Sequence, residues 1–165
     1  MMSMRDDVES AIKEKKLDRS RIFKVSKIKY ANIIRKIEHT FVLDGGDIHW
    51  SNMGNGFQQH LSCHYVNFTN QPLWYHHLPN IVPHLEEPVY VLFEDTKNYE
   101  PKYWLYEMWI KEFMMLLDEL NPNDFYIVSK KYDWLISENH EDVVSFVGDN
   151  LKYEVLLNKD NRKGE

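Results

Sequence analysis

The chain's hydrophobic pattern is faint at its start and clearest toward its end. Val8, Ala11 and Ile12 form a thin apolar stripe among charges, which predicts a surface helix over residues 5–17 within a peripheral segment 1–20. A second helical pattern follows, with Ile28, Ala31, Ile34, Ile37 and Phe41 three and four residues apart. It ends near "DGG" at 44–46, where Gly supplies a stop. Residues 44–60, "DGGDIHWSNMGNGFQQH", hold four of the six glycines and read as a long loop or short hairpin. "HLSCHYVNF" at 60–68 fits either a strand or one apolar turn. The prolines of "QPLWYHHLPNIVPHLEEP" then limit any helix there to short turns.

From Pro88 onward the signals sharpen. "VYVLF" at 89–93 predicts a central strand. Leu105, Trp109, Phe113, Leu116, Leu117 and Leu120 recur at helical spacing and predict a buried helix over about 103–120. "FYIVS" and "YDWLIS" predict a hairpin joined through Lys130 and Lys131 by a four-residue type I connection, with Tyr132, Trp134, Ile136 and Glu138 on one face. "VVSFV" at 143–147 and "YEVLL" at 153–157 read as further strands, and "NKDNRKGE" as a frayed tail over 158–165. This order implies a single α+β domain over residues 1–165, a mainly antiparallel sheet packed on one face by helices.

A length of 165 residues at 43% apolar composition suits one core. One cysteine, Cys63, excludes an internal disulfide framework, and the charged N-terminus is unlike a signal peptide, so a reducing cytoplasm is expected. No apolar run approaches the roughly 18 residues of a membrane span, and no membrane partner is expected.

The net charge of −6 is unevenly spread: residues 1–42 carry eleven Lys/Arg against six Asp/Glu, and residues 80–165 carry nine against eighteen. An acidic second half repels phosphates, which disfavours nucleic acid, and attracts a basic protein.

Candidate chemistry is sparse. His60, Cys63 and His64 could share a helical face, with His76, His77 or His84 completing a zinc site, but no paired cysteines or H-E-x-x-H support it. Cys63 lacks any Cys–His signature and reads as a small buried apolar residue. His140 beside Glu138, Glu141 and Asp142 could form an acid–base cluster, although strand alternation sends Glu141 away from His140 and turn chemistry accounts for Asn139 and Asp142. "GNG" at 54–56 lacks the third glycine and preceding strand of a phosphate cradle, so no cofactor is expected. Trp50, Trp74, Tyr75 and Trp104 fall near loops or element ends, where aromatics can anchor an interface.

The progression "VYVLFED", "KYWLYEMWIKEFMMLLDEL" and "FYIVSKKYDWLISENHEDV" resembles a family of small bacterial cytoplasmic proteins whose Trp-containing hairpin ends in an Asn-His-acid turn. These are broadly similar to the SUKH-type immunity proteins of polymorphic toxin systems. The resemblance covers the C-terminal 60 residues or so, and it implies a binding scaffold without catalytic residues. The expected function is a non-enzymatic immunity protein, monomer or homodimer, whose acidic aromatic-bearing surface takes a basic partner such as a toxin domain. Glu138, His140, Glu141, Asp142, Trp50 and Trp74 are the expected partner-binding residues. Two alternatives are a metal-dependent or small-ligand enzyme using His60, His64, His76 and His77, and a homodimeric structural protein.

Overall fold

In a computed structural model, which describes residues 3–43, 57–95, 103–120, 122 and 124–157, the alternating runs pair into one seven-stranded sheet. Its strands are β1 (Ile22–Lys24), β2 (Cys63–Asn67), β3 (Val89–Glu94), β4 (Tyr103–Met108), β5 (Phe125–Ser129), β6 (Leu135–Glu138) and β7 (Val143–Val147). They lie in the order β1-β4-β3-β5-β6-β7-β2, with every pair antiparallel. The helices are α1 (Met4–Glu14), α2 (Lys27–Phe41), a 3-10 turn (Trp74–His77) running into the short α3 (Leu78–Ile81), and α4 (Ile110–Glu119). The fold is α+β, and "VYVLF" is the expected central strand, bonded to β4 and β5. No helix among the described residues is long and apolar enough to cross a membrane.

Alternation sorts each strand between two cores. Val91, Phe93, Ile127, Ile136, Val144 and Phe146 face the larger one, which α1, α4, Trp74 and α3 cover. Tyr90, Leu92, Leu105, Tyr126, Val128 and Leu135 face the other, where α2 lays Ile33, Ile37 and Phe41. Helices therefore cover both faces, one more than the sequence suggests. The added layer arises because β3 and β5 are apolar on both sides and need a second cover.

The stripe of α2 is Ile33, Ile37 and Phe41, an i, i+4, i+8 row that points at the sheet. Ile28, expected to belong to it, sits in the first turn and is 89% exposed. The first helix contributes more than its thin stripe suggests: Val8, Ala11 and Ile12 are all buried, and the Tyr106 hydroxyl donates to Glu9 at 2.9 Å. Ser3 opens it with a reciprocal cap, its oxygen accepting the Asp6 N–H while its own N–H donates to the Asp6 carboxylate.

The expected helix over 103–120 is half strand. Tyr103–Met108 pairs along its whole length with β3, and only Ile110–Glu119 is helical. A strand buried on both faces shows no clean alternation, so Leu105 fell by chance into register with Phe113. In the fold these two side chains lie in opposite cores.

Two smaller differences concern the hairpin and the chain end. β6 begins at Leu135, and Tyr132 takes φ 58° in the connection, leaving Trp134, Ile136 and Glu138 together while its own ring goes to the other face, 6.1 Å from Tyr90. Residues 154–157 form a helical turn where a strand was expected, burying Leu156. The glycine-rich stretch 44–56, with Trp50, and the tail 158–165 lie outside the described residues.

Candidate functional site

One side chain organises the turn between β6 and β7. The Asn139 amide oxygen accepts the N–H of Glu141 at 2.9 Å and of Val143 at 3.1 Å, while the Asp142 N–H donates to the Asn139 carbonyl at 3.1 Å. Asp142 closes the turn at φ 60°, a left-handed conformation that Asp tolerates better than most residues. Its carbonyl accepts the Phe68 N–H at 2.9 Å, which ties the turn to the end of β2. The expected turn role of Asn139 is its side chain's; that of Asp142 belongs to its backbone.

A second anchor comes from β5. Hairpin register sets Phe125 opposite Glu138, so the preceding Asp124 falls beside the turn. This buried carboxylate accepts the backbone N–H of His140 at 3.2 Å and lies 3.5 Å from its Nδ1. The latter separation is an ion-pair distance and too long for a hydrogen bond. His140 thus has Asp124 as its acidic neighbour, in place of the expected Glu138 or Glu141. Asp124 was missed by sequence reasoning, although the hairpin register carries the signal.

Glu138 is half-buried beneath the turn, and the Trp74 indole N–H donates to its carboxylate at 2.7 Å. Burial pushes its pKa up; the Trp74 hydrogen bond offsets part of this, and the charges of Asp142 and Asp124 add to the rise. Trp74 itself is 1% exposed, packed 6.0 Å from Phe68 and edge-on to Phe146 at 6.1 Å. That corrects its expected role as a partner contact: a proline-bounded 3-10 turn drives the ring into the core, and it reaches the site only through its N–H.

A raised folded pKa has a definite stability consequence. Glu138 binds its proton more readily folded than unfolded, so the stability it contributes is complete below its unfolded pKa and is lost as pH rises through its folded pKa. Glu138→Gln keeps an acceptor oxygen for Trp74 and removes the buried charge. Denaturant midpoints measured from about pH 4 to 8 should show the variant gaining on the parent as pH rises; parallel curves would refute the linkage.

Beside Trp74, the Tyr75 hydroxyl donates to Asp118 at 2.7 Å, and His76 Nε2 lies 2.7 Å from the same oxygen. The Tyr75 hydrogen bond, then that of His76, holds the Asp118 carboxyl below its usual range. The metal alternative rests on His60, His64, His76 and His77. His64 stacks on Tyr153 at 4.6 Å, His76 serves Asp118, and no group of three His, Cys, Asp or Glu able to hold a metal occurs among the described residues. Burial pushes the Cys63 thiol up, away from thiolate reactivity.

Strand direction concentrates charge. β3 and β6 end where β5 and β7 begin, bringing Glu94, Asp95, Asp124, Glu138, Glu141 and Asp142 to one end of the sheet. At the opposite end two acids are paired, Glu107 with Lys130 at 2.8 Å and Glu87 with Lys131 at 3.1 Å. Among the described residues, Glu138, Glu141 and Asp142 have no ion-pair partner. Such an arrangement suits electrostatic recognition; a nucleophile, base and orienting group are not brought together in it.

Residues 1–158 match the family described as "Family of unknown function (DUF6756)". No curated protein and no solved structure matches the chain.

Proposed function

The chain belongs to this family of unknown function, and we propose that it is a non-enzymatic binding protein whose acidic β6–β7 turn docks a basic protein, in the manner of an immunity protein neutralising a toxin domain. The observation that carries this reading is the fixed, uncompensated charge of the turn. Glu141 and Asp142 are exposed, held in place by the Asn139 hydrogen bonds, and without an ion-pair partner among the described residues. A rigid site loses little conformational entropy on binding, and unpaired surface charge steers an oppositely charged partner. Resemblance of the hairpin and its Asn-His-acid turn to immunity proteins favours a toxin as that partner.

The test is association of the purified protein with any basic toxin domain encoded beside its gene, at low and at physiological salt. Glu141→Gln with Asp142→Asn removes both charges, and Asn keeps the left-handed conformation at 142. The association rate should fall several-fold at low salt, and the difference from the parent should shrink as salt screens it. Absence of binding, or an association rate indifferent to both substitution and salt, would sink the reading.

A further inference from the structure

The opposite flank of the sheet carries chemistry of the other sign. β1 pairs with β4 only at Tyr106–Met108, so at Tyr103–Leu105 β4 is the sheet edge. The Val25 N–H donates to the Leu105 carbonyl at 2.9 Å before the chain turns into α2, leaving a cleft of about 280 Å³. Three cations line it: Arg5, Lys24 and Lys27. Tyr30, Trp104, Val25 and Leu105 give it aromatic and apolar walls.

Two of these cations converge on one ring. Arg5 Cζ lies 5.6 Å and Lys24 Nζ 6.0 Å from the Trp104 ring centroid, while the Trp104 N–H donates to Asp95 at 2.8 Å and fixes the indole. No acid among the described residues lies within salt-bridge distance of Arg5, Lys24 or Lys27. The first turn of α2 also lacks an acid, and Ser26 supplies no side-chain cap, so the helix end adds to the positive field. The three cations form no ion pair among the described residues, and cation–π contacts with Trp104 hold Arg5 and Lys24 beside the cleft in a chain of net charge −6.

We propose that this cleft binds a small aromatic anion. Its carboxylate or phosphate sits among Arg5, Lys24 and Lys27, and its ring lies against Trp104, Tyr30 and the Val25–Leu105 wall. The volume lies at the lower limit of small-molecule sites, which run from about 300 Å³ upward. That is room for one ring with one anionic group, and too little for a polymer. β4 is separated from β6 by β3 and β5, so the site is independent of the acidic turn.

The experiment is titration of the full chain with phenyl phosphate and with benzoate, followed by calorimetry and by the Trp104 indole N–H resonance. Phenol and inorganic phosphate are the controls. At least one aromatic anion should bind and shift that resonance, phenol should not, and inorganic phosphate should bind about tenfold more weakly or worse. Lys24→Gln with Lys27→Gln should weaken binding about tenfold, from the loss of charge-assisted hydrogen bonds, at an unchanged denaturation midpoint. An unmoved Trp104 resonance, inorganic phosphate binding as tightly as phenyl phosphate, or a double variant of parental affinity would each overturn the assignment.

Discussion

Phe146→Ala is expected to lower stability by about 3–5 kcal/mol, with Tm falling roughly 2–4 °C per kcal/mol in a chain of this size. The ring is fully enclosed, with Phe68 at 6.4 Å, Trp74 at 6.1 Å and Tyr153 at 5.3 Å. Its removal leaves a cavity shared by β7, the segment after β2, the 3-10 turn and the C-terminal segment, which cannot all close on it at once. Trp74 rests on this ring while holding Glu138, so the loss reaches the acidic turn. Phe146→Leu, which refills much of the volume, should recover more than half of the deficit. Equilibrium denaturation of the three proteins measures both effects; a loss below about 1 kcal/mol for Ala would show that the cluster collapses freely.

Gly148→Ala should be the costliest small change. Gly148 follows β7 with φ 113°, a conformation open to glycine and strained for any residue with a Cβ, at about 1–3 kcal/mol for the backbone alone. The added methyl would also stand 2.5 Å from the Asp133 carbonyl oxygen and 3.0 Å from Trp134 Cα. These are largely backbone atoms of the β5–β6 connection, and they cannot swing aside as a side chain would. Relief requires β7 to shift, which weakens the 2.8 Å bond from the Gly148 N–H to the Ser62 carbonyl. The expected result is a lower denaturation midpoint together with faster amide exchange across Cys63–Asn67. Parental exchange in β2 would contradict the coupling.

How much of this was legible differs from element to element. "VYVLF" was readable as a central strand because a short β-branched and aromatic run bounded by Pro88 leaves little else for it to be. The hairpin strands were readable by alternation, and Asn139 by its known habit of bonding nearby backbone. Leu105 and Tyr106 were misread because a strand apolar on both faces and a buried helix present similar, mostly apolar text; pairing with β3 decides between them. Trp74 was misplaced as an interface anchor because its flanking prolines signal a loop, while the room for its ring under β6 and β7 exists only after the sheet forms.

The site shows the same division. Glu138, Glu141 and Asp142 were identifiable as an acidic group from their positions at a strand end. Their neighbours Asp124 and Trp74, 14 and 64 residues from Glu138, join them only through strand register and core packing. The cleft at Trp104 was hidden altogether, since it needs α1, β4 and the entry to α2 to meet.

By itself, then, the sequence determined the α+β class, the hairpin and its acidic Asn-His-acid turn, because periodicity, turn chemistry and charge are local properties of neighbouring residues. Only the tertiary structure decided that helices cover both faces, that residues 103–108 are a strand, that acids gather at one end of the sheet, and that three cations line a cleft beside Trp104 at its edge. Those outcomes depend on which distant segments bury one another, and apolar burial is nondirectional: it rewards contact without specifying, in the local sequence, the partner that makes it.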